Sequence, residues 1–199
     1  MAILWIQSEH IHASNDSQVS VFQLTFSHKM SILQSIYASN HYTFEVKEKL
    51  SQKALGGDLS DKSKLTNLTC LASLPDPSVK EQVWQDLIDP KSNLSLYERR
   101  AKMSGFFQSN QIEICTPYFD KFYDALSSLH KDHTYKYIET FFNLLLPRMQ
   151  IEDSHIVKLM TIKSKVADTN NMYMLVLQDG IDNLIRSKVI REYARSSSA

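Results

Sequence analysis

Helix-start signals recur along most of this chain, and they restrict its fold more than any other feature. They stand near residues 61, 78, 95, 110, 133, 153 and 169, about 15–23 positions apart. Each is a Ser, Asp or Asn at the edge of a run whose apolar residues repeat at three or four. Such side chains accept hydrogen bonds from the free amides of a helix's first turn. Leu65, Leu68, Leu71 and Ala72 form one stripe, ended by Pro75 and Pro77. Ser78 with Glu81 reads as a capping box, and its helix buries Val79, Val83, Trp84 and Leu87 before Pro90 stops it. Ser95 with Glu98 is a second box, and Asn110 with Glu113 a looser third. Pro117 either kinks that third helix or sits in its effective first turn with Thr116 as cap. Asp132 is expected to cap a helix carrying Tyr135, Ile138, Phe141, Phe142 and Leu145, closed by Pro147. Asp153 and Asp168 open the last two helices. A single helix pair cannot bury its own stripe, whereas stacked pairs can. Two helices per roughly 40 residues predicts an all-α fold of stacked antiparallel helix pairs, a HEAT- or armadillo-like α-solenoid.

The rest of the composition agrees with this. Four glycines and five prolines in 199 residues are too few for the frequent turns of an all-β chain. The 22 basic residues cancel the 22 acidic ones, leaving no net field to draw in nucleic acid or an anionic membrane. No segment is long enough to cross a bilayer. Met1 to Ile6 is apolar but lacks a basic n-region and an adequate apolar core, so it is not expected to act as a signal peptide. Cys70 and Cys115 lie among apolar residues and read as buried free thiols, which favours a reducing, cytoplasmic setting. Sequons at Asn15, Asn67 and Asn93 carry little weight, because Asn93 sits where a helix is about to start.

Two regions are expected. Residues 1–57 form an N-terminal segment, mainly helical with an ill-defined start. Within it Ala2 to Ile6 is a short strand or helix turn, and Ser8 to Ser20 is loop. Phe22, Phe26, Met30, Leu33 and Tyr37 predict a helix over 21–40, and a shorter one follows from Thr43 to Leu55 before Gly56-Gly57. Residues 58–195 form the helical domain proper.

No catalytic constellation stands out. The histidines lack the H-E-x-x-H spacing that puts two imidazoles on one metal and a general base between them. The close pairs are His10 with His12 and His130 with His133, and the second reads as caps at a turn. There is no G-x-S-x-G elbow and no glycine-rich phosphate loop. Glu139 follows the inward Ile138 and is expected to face solvent. The aromatic group Tyr118, Phe119, Phe122, Tyr123, Tyr135, Tyr137, Phe141 and Phe142 reads either as a stacking surface or as core between two helices. Its helical spacing favours core, with Tyr137 off the main stripe and expected at the surface. Arg186, Lys188, Arg191 and Arg195 could bind a carboxylate or complement a helix C-terminus. Arg99 and Arg100 are expected on a solvated face beside Glu98. Gly180 marks a close helix contact or a break.

An ordered set of short pieces over residues 60–194 resembles the C-terminal helical domain of the aminopeptidase N family of zinc peptidases. The pieces are Pro75, Lys80 and Trp84; Asn93-Leu94-Ser95 followed by Met103-Ser104-Gly105-Phe106; Gln111 to Tyr123 with Pro117-Tyr118 and Phe122-Tyr123; Leu146-Pro147-Arg148; and Asp179-Gly180-Ile181 with Leu184 and Arg186. The first 55 residues match only diffusely, and Met172 and Met174 stand where the family often carries basic residues. The resemblance implies a lid that bounds peptide access to a zinc site and moves between open and closed forms. It also implies that the zinc, the exopeptidase motif and the catalytic tyrosine belong to a separate catalytic domain, on the same or another chain. No catalytic, cofactor-binding or metal residue is assigned within these 199 residues. The implied partners are that catalytic domain and peptide substrates. The alternative is a standalone helical-repeat module that binds a peptide or protein in its groove.

Overall fold

The computed structural model describes residues 11–12, 21–22, 25–56, 58, 60–149, 151–166 and 171–197. The fold is all-α, as the punctuation predicts. Its helices are α1 (Phe26–Ala38), α2 (Phe44–Leu55), α3 (Asp61–Ala72), α4 (Pro77–Ile88), α5 (Leu96–Phe106), the single turn α6 (Ile112–Cys115), α7 (Pro117–Asp132), α8 (Tyr135–Leu145), α9 (Asp153–Val166) and α10 (Asn171–Ser196). Ahead of them β1 (Ile11–His12) pairs antiparallel with β2 (Val21–Phe22), Ile11 opposite Phe22. That pairing corrects two expectations. Ile11 and His12 are strand where loop was expected, and the first helix starts at Phe26 because Thr25 caps it, accepting from the His28 amide. The readings of residues 2–6 and of Asp168 lie outside the described residues.

Caps decide where the other helices begin. Thr43, Ser60 and Thr134 accept from the amides of Val46, Ser63 and Tyr137. Ser95 and Glu98 form the expected reciprocal box, at 3.2 and 2.7 Å. Ser78 and Glu81 do not. Pro77 has no N–H and a preset φ, so it takes the first helical position and moves the cap back to Asp76. Asp76 accepts from the amides of Ser78 and Val79, and the Ser78 hydroxyl also donates to it. Pro117 likewise opens α7. Asp132 ends α7 and does not cap α8; that task falls to Thr134. The third box is also absent, because the Asn110 amide donates instead to the Ala38 carbonyl at the end of α1.

Alternate helices touch in series: α1 with α3, α3 with α5, α5 with α8, and α8 with α10. The intervening helices pack on this row, α4 against α3 and α5, and α9 against α7 and α10. The main core holds Trp84, Met103, Phe106, Phe122, Phe141, Phe142, Leu159, Tyr173 and Leu177. A smaller cluster of Leu33, Ile36, Tyr37, Leu50 and Cys70 joins α1 and α2 to α3. Two glycines set the closest approaches. A Cβ on Gly105 would stand 2.1 Å from the Thr69 carbonyl oxygen, so α5 lies directly on the α3 backbone. One on Gly180 would stand 2.0 Å from the Phe142 ring, so α10 continues unbroken and this glycine is a contact.

Gly105→Ala and Gly180→Ala should each lower stability by about 1–3 kcal/mol through overpacking. Ser104→Ala, on the exposed face of the same turn as Gly105, should stay within about 0.5 kcal/mol. Urea midpoints of the three variants check this, and an unchanged Gly105→Ala midpoint would contradict the close α3–α5 approach.

Candidate functional site

Buried donors at the ends of neighbouring helices are the most organised polar feature of the molecule. The last carbonyls of a helix have no partner within it. Here they are met from other helices. The Lys80 side chain is fully buried, and its Nζ donates to the Ala72 carbonyl at 2.8 Å and the Phe106 carbonyl at 2.5 Å. It closes the ends of α3 and α5 together. Lys47 on α2 donates to the Tyr37 and Ser39 carbonyls at the end of α1. Gln111 Nε2 joins the Ala38 and Ser73 carbonyls, at 2.9 and 2.7 Å. Arg99 donates to the carbonyls of Leu87, Asp89, Ser92 and Leu94, so one guanidinium holds the end of α4 and the loop after it.

Arg99 is therefore not on a solvated face, as its neighbours Glu98 and Arg100 had implied. It is buried, because Leu96, Arg99, Met103 and Phe106 share one side of α5. Tyr137 is corrected in the same way. It is 4% exposed, its hydroxyl donates to the Leu87 carbonyl, and its ring lies 5.1 Å from the Arg99 guanidinium. The rest of the aromatic group packs as core: the Phe122 and Phe141 rings stack at 5.6 Å, and Phe122 meets Phe142 at 5.8 Å. Tyr173 reaches the Leu126 carbonyl at 2.5 Å.

Burial sets the electrostatics. It lowers the Lys80 ammonium to about 8, with the Cys115 thiol pulling weakly the other way, and it lowers Lys47 as well. It raises the Cys70 thiol to about 12 and also raises Cys115. Both cysteines are free and buried, as expected, and neither is poised as a nucleophile. Near the surface, Glu81 accepts from Lys121 at 2.7 Å and from Tyr118 at 3.1 Å, tying α4 to α7. Hydrogen bonds from Lys121 and then Gln85 hold its carboxyl down at about 2. Glu139 is partly covered and pairs with Lys136.

The structure places the other candidates as follows. His130 stacks on Tyr173 at 5.6 Å and His133 on Tyr137 at 4.4 Å, each as part of the packing. Lys188 pairs with Asp153, and Arg191 donates to the Arg148 and Met149 carbonyls. Among the described residues no three His, Cys, Asp or Glu side chains come together, and no helix is long and apolar enough to cross a membrane. Sequence reasoning missed the surface of α9 and α10. Beyond Leu184 no residue of α10 is buried, and Ile185, Val189, Ile190 and Tyr193 are exposed. Beside them a groove of about 420 Å³ runs between α9 and α10, with Met160, Met174 and Ile181 among its walls. The signal was present: the apolar row 173, 177 and 181 continues at 185, 189 and 193, beyond Leu184, the last buried residue of α10.

Lys80→Met should destabilise the chain by about 2–4 kcal/mol, because two buried carbonyls lose their donor. The pH response carries a second signature. Lys80 has a folded pKa near 8 against an ordinary 10.5, so between these values the unfolded chain binds the extra proton. Its contribution to stability therefore rises with pH across that window. Denaturation of wild type and Lys80→Met across the window checks this, and their difference should grow toward high pH. No family model matches this chain, and no curated protein matches it.

Proposed function

We propose that this chain is the helical access domain of a zinc-dependent aminopeptidase that removes N-terminal residues from peptides. It supplies no catalytic group itself, and the zinc belongs to a companion catalytic domain on the same or a separate chain. The observation that carries this reading is the ordered set of motifs between Pro75 and Arg186. Their residues have demanding structural roles here. Lys80 joins two helix ends, and Gly105 and Gly180 stand where a side chain would collide. Trp84, Met103, Phe106, Tyr118, Phe122, Tyr123 and Leu184 lie in the main core. Burial and close contact at these positions support the reading. In this proposal the row α1–α3–α5–α8–α10 is one layer of a HEAT- or armadillo-like solenoid. The exposed apolar end of α10 supports a docking role, since such surface on a soluble domain commonly marks a partner. Buried free thiols support a cytoplasmic setting.

An antibody to residues 95–123, applied to the native source, tests the proposal. It should recover either a protein far larger than 22.9 kDa that encodes H-E-x-x-H, or a complex with chelator-sensitive aminopeptidase activity. A 22.9 kDa protein with no such activity bound would contradict the proposal and favour the standalone binding module.

A further inference from the structure

His133 stands where four helices meet. It is the residue after α7, and its backbone N–H donates to the Leu129 carbonyl. Its ring stacks on Tyr137 of α8, with centroids 4.4 Å apart and planes 30° apart. The same Tyr137 ring lies against Arg99 of α5. Tyr137 and Arg99 both donate to the Leu87 carbonyl at the end of α4. The imidazole is hydrogen-bonded to the Ile88 backbone, and its Nε2 is buried without a hydrogen-bond partner. A neutral ring fits this place, since one nitrogen is satisfied and the other carries only a lone pair. A protonated ring does not. Its second N–H would be buried with no acceptor, beside a guanidinium already committed to four carbonyls.

We propose that His133 is an acid-sensitive latch, whose protonation frees the α7–α8 turn from the end of α4 and loosens the α5–α8 contact. The charged groups facing it are Arg99 from α5, Asp132 from α7 and Asp89 just beyond α4. Burial is the largest influence and lowers its pKa. The Ile88 hydrogen bond opposes this, Arg99 adds to it, and the two carboxylates oppose it more weakly. The sign follows from linkage. An open chain takes up the proton near the ordinary value of 6.5, before the latched form does. The latched form therefore loses stability as pH falls below that value, and it is intact at neutral pH. This inference does not depend on the aminopeptidase reading.

Amide exchange of the full chain, corrected for intrinsic pH effects, tests it at about pH 7.5 and about pH 5.5. Amides in 91–95 and 133–139 should exchange several-fold faster at the lower pH, up to about tenfold, the limit that linkage sets for a group whose ordinary pKa is 6.5. His133→Phe keeps a ring on Tyr137 but cannot titrate, so its acid response should vanish. His130→Phe should retain the response. An equal acid response in His133→Phe, or none in the wild type, would overturn the latch. If His133→Phe does not fold, the ring titration of His133 in the wild type decides: a pKa at or above 6.5 would overturn it.

Discussion

The fold depends on one recurring interaction, a buried donor from one helix placed on the orphan carbonyls at the end of another. Stacking short helices creates many ends, and each end inside the protein carries acceptors that water cannot reach. A purely apolar core would leave them bare, at a cost of about 1–3 kcal/mol each. Lys47, Lys80, Arg99 and Gln111 meet this need at the ends of α1, α3, α4 and α5. Tyr137 does the same for the Leu87 carbonyl at the end of α4, while Tyr173 donates to Leu126 within α7 and the exposed Arg191 to the loop after α8. Each also fixes geometry, because Lys80 can reach Ala72 and Phe106 together only if α3 and α5 end side by side. The glycine at 105 allows that approach, and the Thr69 hydroxyl, donating to the Ala101 carbonyl at 3.0 Å, holds it.

A lysine or arginine is a costly choice for an interior, since the charge must be desolvated. The return is specificity. A hydrophobic side chain at position 80 would fill the space and accept many helix registers, whereas an ammonium satisfied by two carbonyls accepts one. The same economy explains the surface. Burial in α10 stops at Leu184, while its apolar row continues beyond that residue into solvent at Val189 and Tyr193.

Much of this was legible in the sequence. Proline positions and the Ser95–Glu98 pair located the helices because caps act over three or four residues, a range a sequence shows directly. The cap of α4 shifted because Pro77 outranks Ser78 as a first-turn residue, a competition visible in the sequence once both are weighed. What was not legible was the inward turn of the cations. Arg99 next to Glu98 and Arg100 looks like a solvated cluster, and only its shared period with Met103 and Phe106 gives it away. Lys80 likewise keeps the period of Val83, Trp84 and Leu87. The surface on α9 and α10 stayed hidden for the opposite reason: a stripe in sequence does not say where its neighbours stop.

Native-state hydrogen exchange measured residue by residue tests the dependence on these buried donors most directly. The last turns of α3, α4 and α5, at 70–72, 86–88 and 104–106, should exchange only through global unfolding. The end of α10 from 189 onward should exchange by local fraying. Sub-global exchange at the ends of α3 and α5, with stronger protection elsewhere, would show that the donors ride on the fold and do not hold it.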